Sequence, residues 1–301
     1  MQVIRYPLAI LGFILLGINT LLITVILTPV AYIKKFSSNL KVRTVCLKLL
    51  HFFGTVWIYI NYGIIKLVNN IKWEIDGLEA LKSLPKDKWY LLIANHQSWN
   101  DIFVLQFVFK KIMPFQKYFV KEELRKFPIM GLMWEGVDCP FLKRLDKQKL
   151  IQNPELASFD ITEIREKSKQ FKLLPATIVN FVEGSRFNKK KQIEQNSPYK
   201  YLLKPKAAGI ACILQELNQE IKGIIDVSIY YQCPNARFWD LFSGGLKSIS
   251  VKIQYISIPE WLKAKHRADI NYSDYKKEFQ RWLNNLWLEK DQFLASKNSD
   301  K

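Results

Sequence analysis

Two long uncharged runs stand near the start of the chain. Residues 6–33 contain no charged side chain, and residues 49–65 contain none either. A helix needs about 20 apolar residues to cross a bilayer, so the first run is long enough and the second lies at the lower limit. The first run is also longer than a signal-peptide core, and no convincing small-residue cleavage site follows it. It therefore predicts a retained membrane helix.

The second uncharged run admits several structures. It carries Trp57, Tyr59 and Tyr62, and such aromatic residues favour the membrane–water interface. The run could cross the bilayer, re-enter it, lie in the interface, or form a buried helix of a globular domain. We expect residues 1–70 to be a membrane anchor in which one hydrophobic helix is followed by an interfacial one.

The segment between the two runs is basic. It contains Lys34, Lys35, Lys41, Arg43 and Lys48, which we expect to lie in a short loop. Such a concentration of positive charge favours the cytoplasmic side of a membrane. Two full spans would place the rest of the chain outside the cytoplasm, whereas one span or a shallow hairpin keeps it inside. We expect the rest of the chain to lie inside.

The pattern changes after residue 70 to that of a mixed α/β domain. Apolar or alternating runs predict strands at residues 73–77, 89–94, 176–182, 224–231 and 249–258. Helices are predicted at residues 102–109 and 205–217. Strands that alternate with helices indicate a central sheet covered by helices. We therefore predict an α/β domain over residues 71–301, with a central mixed sheet flanked by helices.

The composition narrows the chemistry. The formal net charge is +18, which favours anionic partners such as nucleic acid, anionic lipid or phosphorylated substrates without choosing among them. The histidines His51, His96 and His266 are not at metal-ligand spacing, so we predict no metal site. The four cysteines form no C-x-x-C pair, and we expect them to be free, as in a reducing compartment.

The predicted strand at residues 89–94 ends in a polar segment that contains His96 and Asp101. A histidine accepts a proton near neutral pH, and a neighbouring carboxylate fixes its tautomer and supports its charged form. On one ideal helix the two side chains would point about 140° apart. They meet only if His96 lies in the turn after the strand and Asp101 in the first turn of the helix. In the alternative interpretation, Asp101 only favours the helix start and His96 only ends the strand.

The predicted strand at residues 176–182 also ends in a polar turn, formed by Glu183, Gly184, Ser185 and Arg186. Glycine lets a backbone approach a ligand closely, and arginine offers a planar fork that binds phosphate through two hydrogen bonds. The turn is therefore a candidate phosphate site. The alternative is an ordinary strand-end turn with an exposed arginine.

Together the two motifs resemble a known family. His96-x4-Asp101 followed by Glu183-Gly-Ser-Arg186 is similar to the H-x4-D and E-G-T-R motifs of lysophospholipid acyltransferases, which include the 1-acylglycerol-3-phosphate acyltransferases. Ser185 replaces the threonine and keeps its hydroxyl group. Residues 120–131, between the two motifs, are similar to the family's middle block. The order and spacing of three blocks make the resemblance specific, and it covers residues 70–260.

Other segments resemble bacterial inner-membrane members of the family that are akin to lysocardiolipin acyltransferases. These segments are residues 95–99, 140–144, 177–187 and 206–209. One departure from the wider family is Asp226-Val227-Ser228, which stands where a V-P-V-like strand is common, although this branch often has aspartate there. The resemblance implies a bacterial inner-membrane location with the catalytic domain on the cytoplasmic side.

The resemblance implies a glycerol-phosphate acyltransferase-like fold and direct acyl transfer. His96 would be the general base that removes the proton of the acceptor hydroxyl, and Asp101 would orient His96 and support its charge. The co-substrate would be acyl-CoA or acyl-carrier protein. The family chemistry implies no acyl-enzyme and no metal or redox cofactor.

The resemblance also implies roles in substrate binding. Arg186, with the backbone of Gly184 and Ser185, would hold the phosphate of a lysophospholipid acceptor. Glu183 would support that loop or the polar head of the acceptor, and Lys121 of the middle block would be a second phosphate contact. Two further lysines are candidates for contact with phosphate on either substrate: Lys204 and Lys206.

Several functions stay open at this point. Lysophosphatidic acid is the expected acceptor, and lysophosphatidylglycerol, lysocardiolipin or a lysophosphoinositide-like lipid are alternatives. The net charge also suggests a membrane-anchored nucleic-acid-binding protein. However, the positive charges are spread along the chain and no nucleic-acid module is recognisable, so we expect membrane lipid and no nucleic acid as partner.

Overall fold

The structure is a computed structural model that describes residues 2–142, 173–217, 220–233, 236–262 and 272–299. The helices in these ranges are α1 (Gln2–Phe36), α2 (Leu40–Val68), α3 (Glu79–Lys82), α4 (Asn100–Phe109), α5 (Pro128–Gly136), α6 (Lys189–Glu194), α7 (Ala208–Glu216), α8 (Asp240–Ser243) and α9 (Tyr272–Ser299). The strands are β1 (Lys72–Asp76), β2 (Trp89–Ala94), β3 (Gln116–Tyr118), β4 (Val120–Lys121), β5 (Phe141–Leu142), β6 (Thr177–Phe181), β7 (Ile221–Tyr231) and β8 (Ser248–Ser257).

Six strands form the central sheet, in the order β1-β8-β7-β2-β6-β3. β7 and β8 are antiparallel, and every other neighbouring pair in this sheet is parallel. The prediction of a central mixed sheet flanked by helices is therefore confirmed. Because β2, β6 and β7 are parallel, their carboxyl ends meet at one edge of the sheet, where Ala94 pairs with both Phe181 and Val227.

The sheet separates two hydrophobic layers. Side chains alternate between the two faces along a strand, so Tyr90 and Leu92 of β2 pack with the layer of α4, α2 and part of α1. Leu91 and Ile93 point the other way and pack with the layer of α7 and α9. This burial on both faces is the reason why β2 is a continuous apolar run.

The two N-terminal helices form a hairpin with polar contacts on its inner side. Asn19 donates from Nδ2 to Asn61 Oδ1 at 2.7 Å, and Trp57 donates from Nε1 to Thr20 Oγ1 at 3.0 Å. The outer side of α1 leaves many large apolar side chains exposed, such as Leu21. Both helices are long and apolar enough to cross a membrane by length and composition. These properties indicate membrane association.

The connection between these helices is shorter than the sequence pattern predicted. Only residues 37–39 separate them, and the five basic residues that we expected in a loop all lie in helices: Lys34 and Lys35 in α1, and Lys41, Arg43 and Lys48 in α2. Asn39 explains the early helix start, because its side-chain oxygen accepts hydrogen bonds from the backbone N–H groups of Lys41 and Val42. Such a cap satisfies N–H groups that have no partner within the helix.

α1 contacts the α/β part of the chain near both of its ends. Near its start, the ring of Phe13 packs against Phe238 and Phe242 with ring centres 6.2 and 5.9 Å apart. Near its end, Lys34 forms a buried ion pair with Asp138, in the turn after α5. At 1.5 Å per residue, about 30 Å of helix lies between these contacts. The helix therefore runs alongside the α/β part over its apolar length.

Candidate active site

The side chains of His96 and Asp101 meet in the arrangement that the sequence analysis named as the condition for their contact. β2 ends at Ala94, His96 lies in the following turn, and Asp101 is in the first turn of α4. The ring nitrogen Nδ1 of His96 is 2.7 Å from Oδ2 of Asp101. The side chain of Asp101 is fully buried, whereas that of His96 is 15% exposed. The pair is thus reached from the surface only through the histidine.

The carboxylate of Asp101 is held by four donors. Oδ2 also accepts hydrogen bonds from the backbone N–H groups of Gln97 and Ser98 at 2.7 and 2.9 Å, and Oδ1 accepts one from the hydroxyl of Tyr231 at 2.6 Å. Burial raises the pKa of Tyr231 well above its usual range, so its hydroxyl stays a donor. Four donors around two oxygens favour the ionised carboxylate.

The carboxylate determines which nitrogen of His96 carries the proton. An ionised carboxylate only accepts hydrogen bonds, so Nδ1 of His96 is the protonated nitrogen and Nε2 keeps its lone pair. The imidazole stacks on Phe181, the last residue of β6, with ring centres 4.1 Å apart and planes 16° apart. The backbone carbonyl of His96 accepts a hydrogen bond from the N–H of Phe187 at 2.7 Å. Stacking on Phe181 and the hydrogen bond at Nδ1 therefore orient the ring, and Nε2 is available as a base.

Glu183 braces the same turn from the end of β6. Its Oε1 accepts a hydrogen bond from the backbone N–H of His96 and its Oε2 one from that of Leu203, each at 2.8 Å. Burial and, to a smaller extent, Asp101 raise the pKa of Glu183 to about 8, while the two N–H groups and Lys290 oppose the rise. Both carboxylate oxygens accept hydrogen bonds from backbone N–H groups, and the side chain is buried. In the structure these hydrogen bonds support the His96 turn and the backbone at Leu203, and the two roles predicted for Glu183 stay predictions.

The turn after Glu183 exposes groups that bind anions. Gly184 has φ +70°, and a Cβ atom at this position would lie 3.3 Å from Nζ of Lys206. The guanidinium carbon of Arg186 is 4.5 Å from the ring centre of Trp99, a distance typical of a cation–π contact. Ser185 is half-buried beside them. Thus Arg186 and Lys206 place two positive charges at the turn, and Trp99 orients the arginine.

Two other predicted lysines, Lys121 and Lys204, form no hydrogen bond or ion pair with His96 or Arg186 among the described residues. Lys121 is exposed on β4, which pairs with β5 in a separate two-stranded sheet. The side chain of Lys204 is exposed, and its backbone N–H donates to Gln195. Residues 143–144 of the resembling segment 140–144 and His266 lie outside the described residues.

Two residues whose role the sequence did not reveal complete the site. The side chain of Asn95 links the end of β2 to β7. Its Nδ2 donates to the carbonyl oxygen of Ile229 at 2.9 Å, and its Oδ1 accepts from the N–H of Ile229 at 2.8 Å. Tyr231 contributes its hydroxyl to Asp101 from a position 130 residues away in the chain. Asn95 lies next to His96 in the motif, and this adjacency is the only local signal. The position of Tyr231 follows only from strand pairing.

Comparisons with known proteins show the family to which the chain belongs. A family model described as Acyltransferase matches residues 74–232 of the chain. Over 237 residues the chain is 24% identical to the 2-acyl-1-lysophosphatidylinositol acyltransferase of Saccharomyces cerevisiae, covering 67% of this chain and 59% of that protein. Over 92 residues it is 27% identical to the 1-acyl-sn-glycerol-3-phosphate acyltransferase of Neisseria meningitidis, covering 30% of this chain and 34% of that protein. The chain thus spans less than two thirds of the length of both relatives.

Among solved structures, the 1-acyl-sn-glycerophosphate (LPA) acyltransferase PlsC of Thermotoga maritima matches with a TM-score of 0.48 and 21% identity, covering 95% of this chain and 98% of that one. The match to the family model includes His96, Asp101 and the turn that holds Arg186. Because that match covers more than half of the chain, the protein belongs to the acyltransferase family.

Proposed function

We propose that the protein transfers a fatty acyl group from acyl-CoA or acyl-carrier protein to the free hydroxyl of lysophosphatidic acid, giving phosphatidic acid. The observation that carries the proposal is the position of an oriented base, His96, in the turn after β2, at the same sheet edge as the basic turn of Arg186 and Lys206 after the neighbouring strand β6. A base for a hydroxyl and a binding turn for a phosphate are the two groups that this reaction needs.

The proposed mechanism is a direct transfer. Nε2 of His96 takes the proton of the acceptor hydroxyl while the hydroxyl oxygen attacks the thioester carbonyl. Asp101 stabilises the positive charge that forms on His96, as the aspartate of a Ser-His-Asp triad does. The carbon–sulfur bond then breaks, and the leaving thiolate takes the proton from His96. No acyl group is attached to the protein in this scheme, and the chemistry requires no metal or redox cofactor.

The phosphate of the acceptor is assigned to the turn after β6. Arg186 offers two parallel N–H donors, Lys206 adds a charge beside Gly184, and the backbone of Gly184 and Ser185 allows close approach. Lys121 remains a candidate for a second phosphate contact, and Lys204 for contact with either substrate, in a complex in which the substrates are bound.

Another acceptor is the second candidate. The Saccharomyces cerevisiae relative is named for lysophosphatidylinositol, and a lysophosphoinositide-like lipid presents the same phosphate to Arg186. Lysophosphatidylglycerol and lysocardiolipin share this chemistry. The choice among them depends on groups beyond the phosphate.

Residues 1–70 are proposed to be the membrane anchor and residues 71–301 the catalytic domain. Because α1 touches the α/β part at both ends of its apolar length, a helix perpendicular to the bilayer would carry that part into the hydrocarbon core. A hairpin that lies in one leaflet, with the exposed apolar side toward lipid, avoids this cost. In this arrangement the catalytic domain stays on the cytoplasmic side of a bacterial inner membrane, where its basic surface attracts anionic lipid.

An acceptor panel tests the proposal. The purified full chain is given lysophosphatidic acid, lysophosphatidylglycerol, lysocardiolipin or lysophosphatidylinositol, each with acyl-CoA or acyl-carrier protein, and the products are identified by mass spectrometry. We expect the fastest transfer to lysophosphatidic acid, and a higher KM for it in Arg186→Gln than in the charge-preserving control Arg186→Lys. Faster transfer to lysophosphatidylinositol would favour the second candidate. No product with any acceptor and either donor would refute the proposal.

A further inference from the structure

A buried lysine of the C-terminal helix lies under the active-site edge of the sheet. Lys290 of α9 is buried, and its Nζ donates to the carbonyl of Val227 at 2.6 Å and to Ser228 Oγ at 3.0 Å. It also lies 3.0 Å from Oδ1 of Asp226. Burying an ammonium group is costly unless it is paired and hydrogen-bonded. Here all three partners are consecutive residues of β7, in the segment that departs from the common family pattern.

The same strand holds the His96 turn in place. Three residues beyond Asp226, the backbone of Ile229 forms both hydrogen bonds with the side chain of Asn95. Two residues further, Tyr231 donates to Asp101. One segment of β7 therefore connects Lys290 on one face of the sheet to the residues that orient His96 at its edge. A shift of this segment along the sheet would move both contacts.

Lys290 also acts on Glu183 through its charge. Burial, and to a smaller extent Asp101, raise the pKa of Glu183, and Lys290 lowers it. In turn, burial lowers the pKa of Lys290, while Asp226 and Glu183 raise it and Lys252 lowers it slightly. The carboxylate of Glu183 accepts hydrogen bonds from the backbone N–H groups of His96 and Leu203. A protonated Glu183 would place a hydroxyl group against one of these two donors.

We propose that Lys290 is a positioning residue for acyl transfer, whose ammonium group fixes the segment of β7 that holds the His96 turn and Asp101 in place. This inference rests on the proposed function only for its activity readout. A pH dependence supports it: Lys290 lowers the pKa of Glu183, whose carboxylate accepts from the backbone N–H of His96, so loss of Lys290 moves the acid limb of the pH profile toward higher pH.

The test compares a variant that removes the buried charge of Lys290 with one that removes a nearby exposed charge. Lys290→Met combined with Asp226→Asn removes both members of the ion pair, so that no unpaired charge is left buried. Lys252→Met is the matched control, because Lys252 is an exposed lysine beside the same pair. For each protein, kcat and KM are measured from pH 5 to 10, and the exchange of the His96 and Leu203 amide hydrogens is followed at pH 7.

For the double variant we expect an acid limb at higher pH and therefore a lower kcat at pH 7. We also expect a lower kcat at high pH from the loss of the contacts with β7, KM within about twofold of wild type, and faster exchange at both amides. Lys252→Met is expected to match wild type. A folded double variant with the wild-type kcat profile and wild-type exchange would overturn the inference, and so would a loss confined to KM.

Two further arms keep the inference testable. If the double variant does not fold, Ser228→Ala decides, because it removes one hydrogen bond between Lys290 and β7 and keeps the ion pair: a lower kcat with faster exchange at the His96 amide supports the inference, and wild-type values of both overturn it. If the wild type transfers no acyl group at all, the proposed function fails. The amide exchange, which needs no activity, then still tests whether Lys290 holds the Glu183 contacts.

Discussion

Replacing Asp101 with asparagine perturbs the charge beside His96 without changing the shape of the site. Oδ2 of Asp101 accepts hydrogen bonds from His96 Nδ1 and from the backbone N–H groups of Gln97 and Ser98. The amide nitrogen of an asparagine cannot occupy this position, because two fixed N–H donors point at it. Its carbonyl oxygen therefore takes the position, and the amide N–H faces the oxygen of Tyr231. His96 keeps its proton on Nδ1 and loses only the carboxylate charge.

The magnitude follows from this geometry. A hydrogen bond to a charged group is worth about 1.5–3 kcal/mol, which corresponds to a kcat about 10- to 150-fold lower if it is lost in the transition state. In a Ser-His-Asp triad, where the same substitution reverses the tautomer, the loss is about 10⁴-fold. Because the two backbone donors at Oδ2 preserve the tautomer of His96, we expect the smaller loss of kcat for Asp101→Asn.

The assay is the initial rate of acyl transfer at saturating concentrations of both substrates, with thermal unfolding as a check on the fold. Tyr231→Phe is the matched control, because it removes one donor to the same carboxylate and leaves the charge. We expect it to lower kcat by less than Asp101→Asn does. A loss near 10⁴-fold in a folded Asp101→Asn protein would refute the fixed tautomer, and an unchanged kcat would refute any role of the carboxylate.

Three further predictions concern the surroundings of the site. Gly184→Ala should destabilise the turn by about 1–2 kcal/mol and raise the acceptor KM, because φ is +70° and the methyl group would lie 3.3 Å from Lys206 Nζ; a wild-type KM would contradict this. Asn95→Ala should lower the free energy of unfolding by about 1–3 kcal/mol, measured by denaturant titration, because it leaves buried backbone groups of Ile229 unpaired; unchanged stability would contradict it. Burial raises the pKa of Cys139 to about 11, so iodoacetamide at pH 8 should label it only after denaturation, and rapid labelling of the native protein would refute this assignment.

The sequence predicted the parts of the fold that carry a strong local pattern. The boundaries of β2 match the predicted residues 89–94, because a strand buried on both faces reads as one apolar run. The strands β3, β4 and β5 were not predicted, since each has only two or three residues and shows no periodicity. The second apolar helix is longer than the uncharged run at residues 49–65, because its first turns carry charged residues, of which Lys41 and Lys48 are exposed.

The part of the site whose residues are close together in the sequence was predictable. His96 and Asp101 are five residues apart, and the sequence predicted that they meet if His96 lies in the turn and Asp101 in the first turn of the helix. The contacts of Tyr231 and Lys290 depend on the pairing of β7 with β2 and on the packing of α9, which no local pattern encodes. Asp226 was recognised as a departure from the family pattern. The reason for an aspartate at this position became visible only in the structure, where it forms an ion pair with Lys290.

The central claim is that His96 is the base of a direct acyl transfer, and one comparison tests it most directly. Purified wild type and His96→Ala are given lysophosphatidic acid and acyl-CoA at saturating concentrations, after both are shown to unfold at the same temperature. General-base catalysis contributes about 10²- to 10⁴-fold, so the account predicts a loss of transfer in this range or greater. Transfer by His96→Ala at the wild-type rate would contradict it.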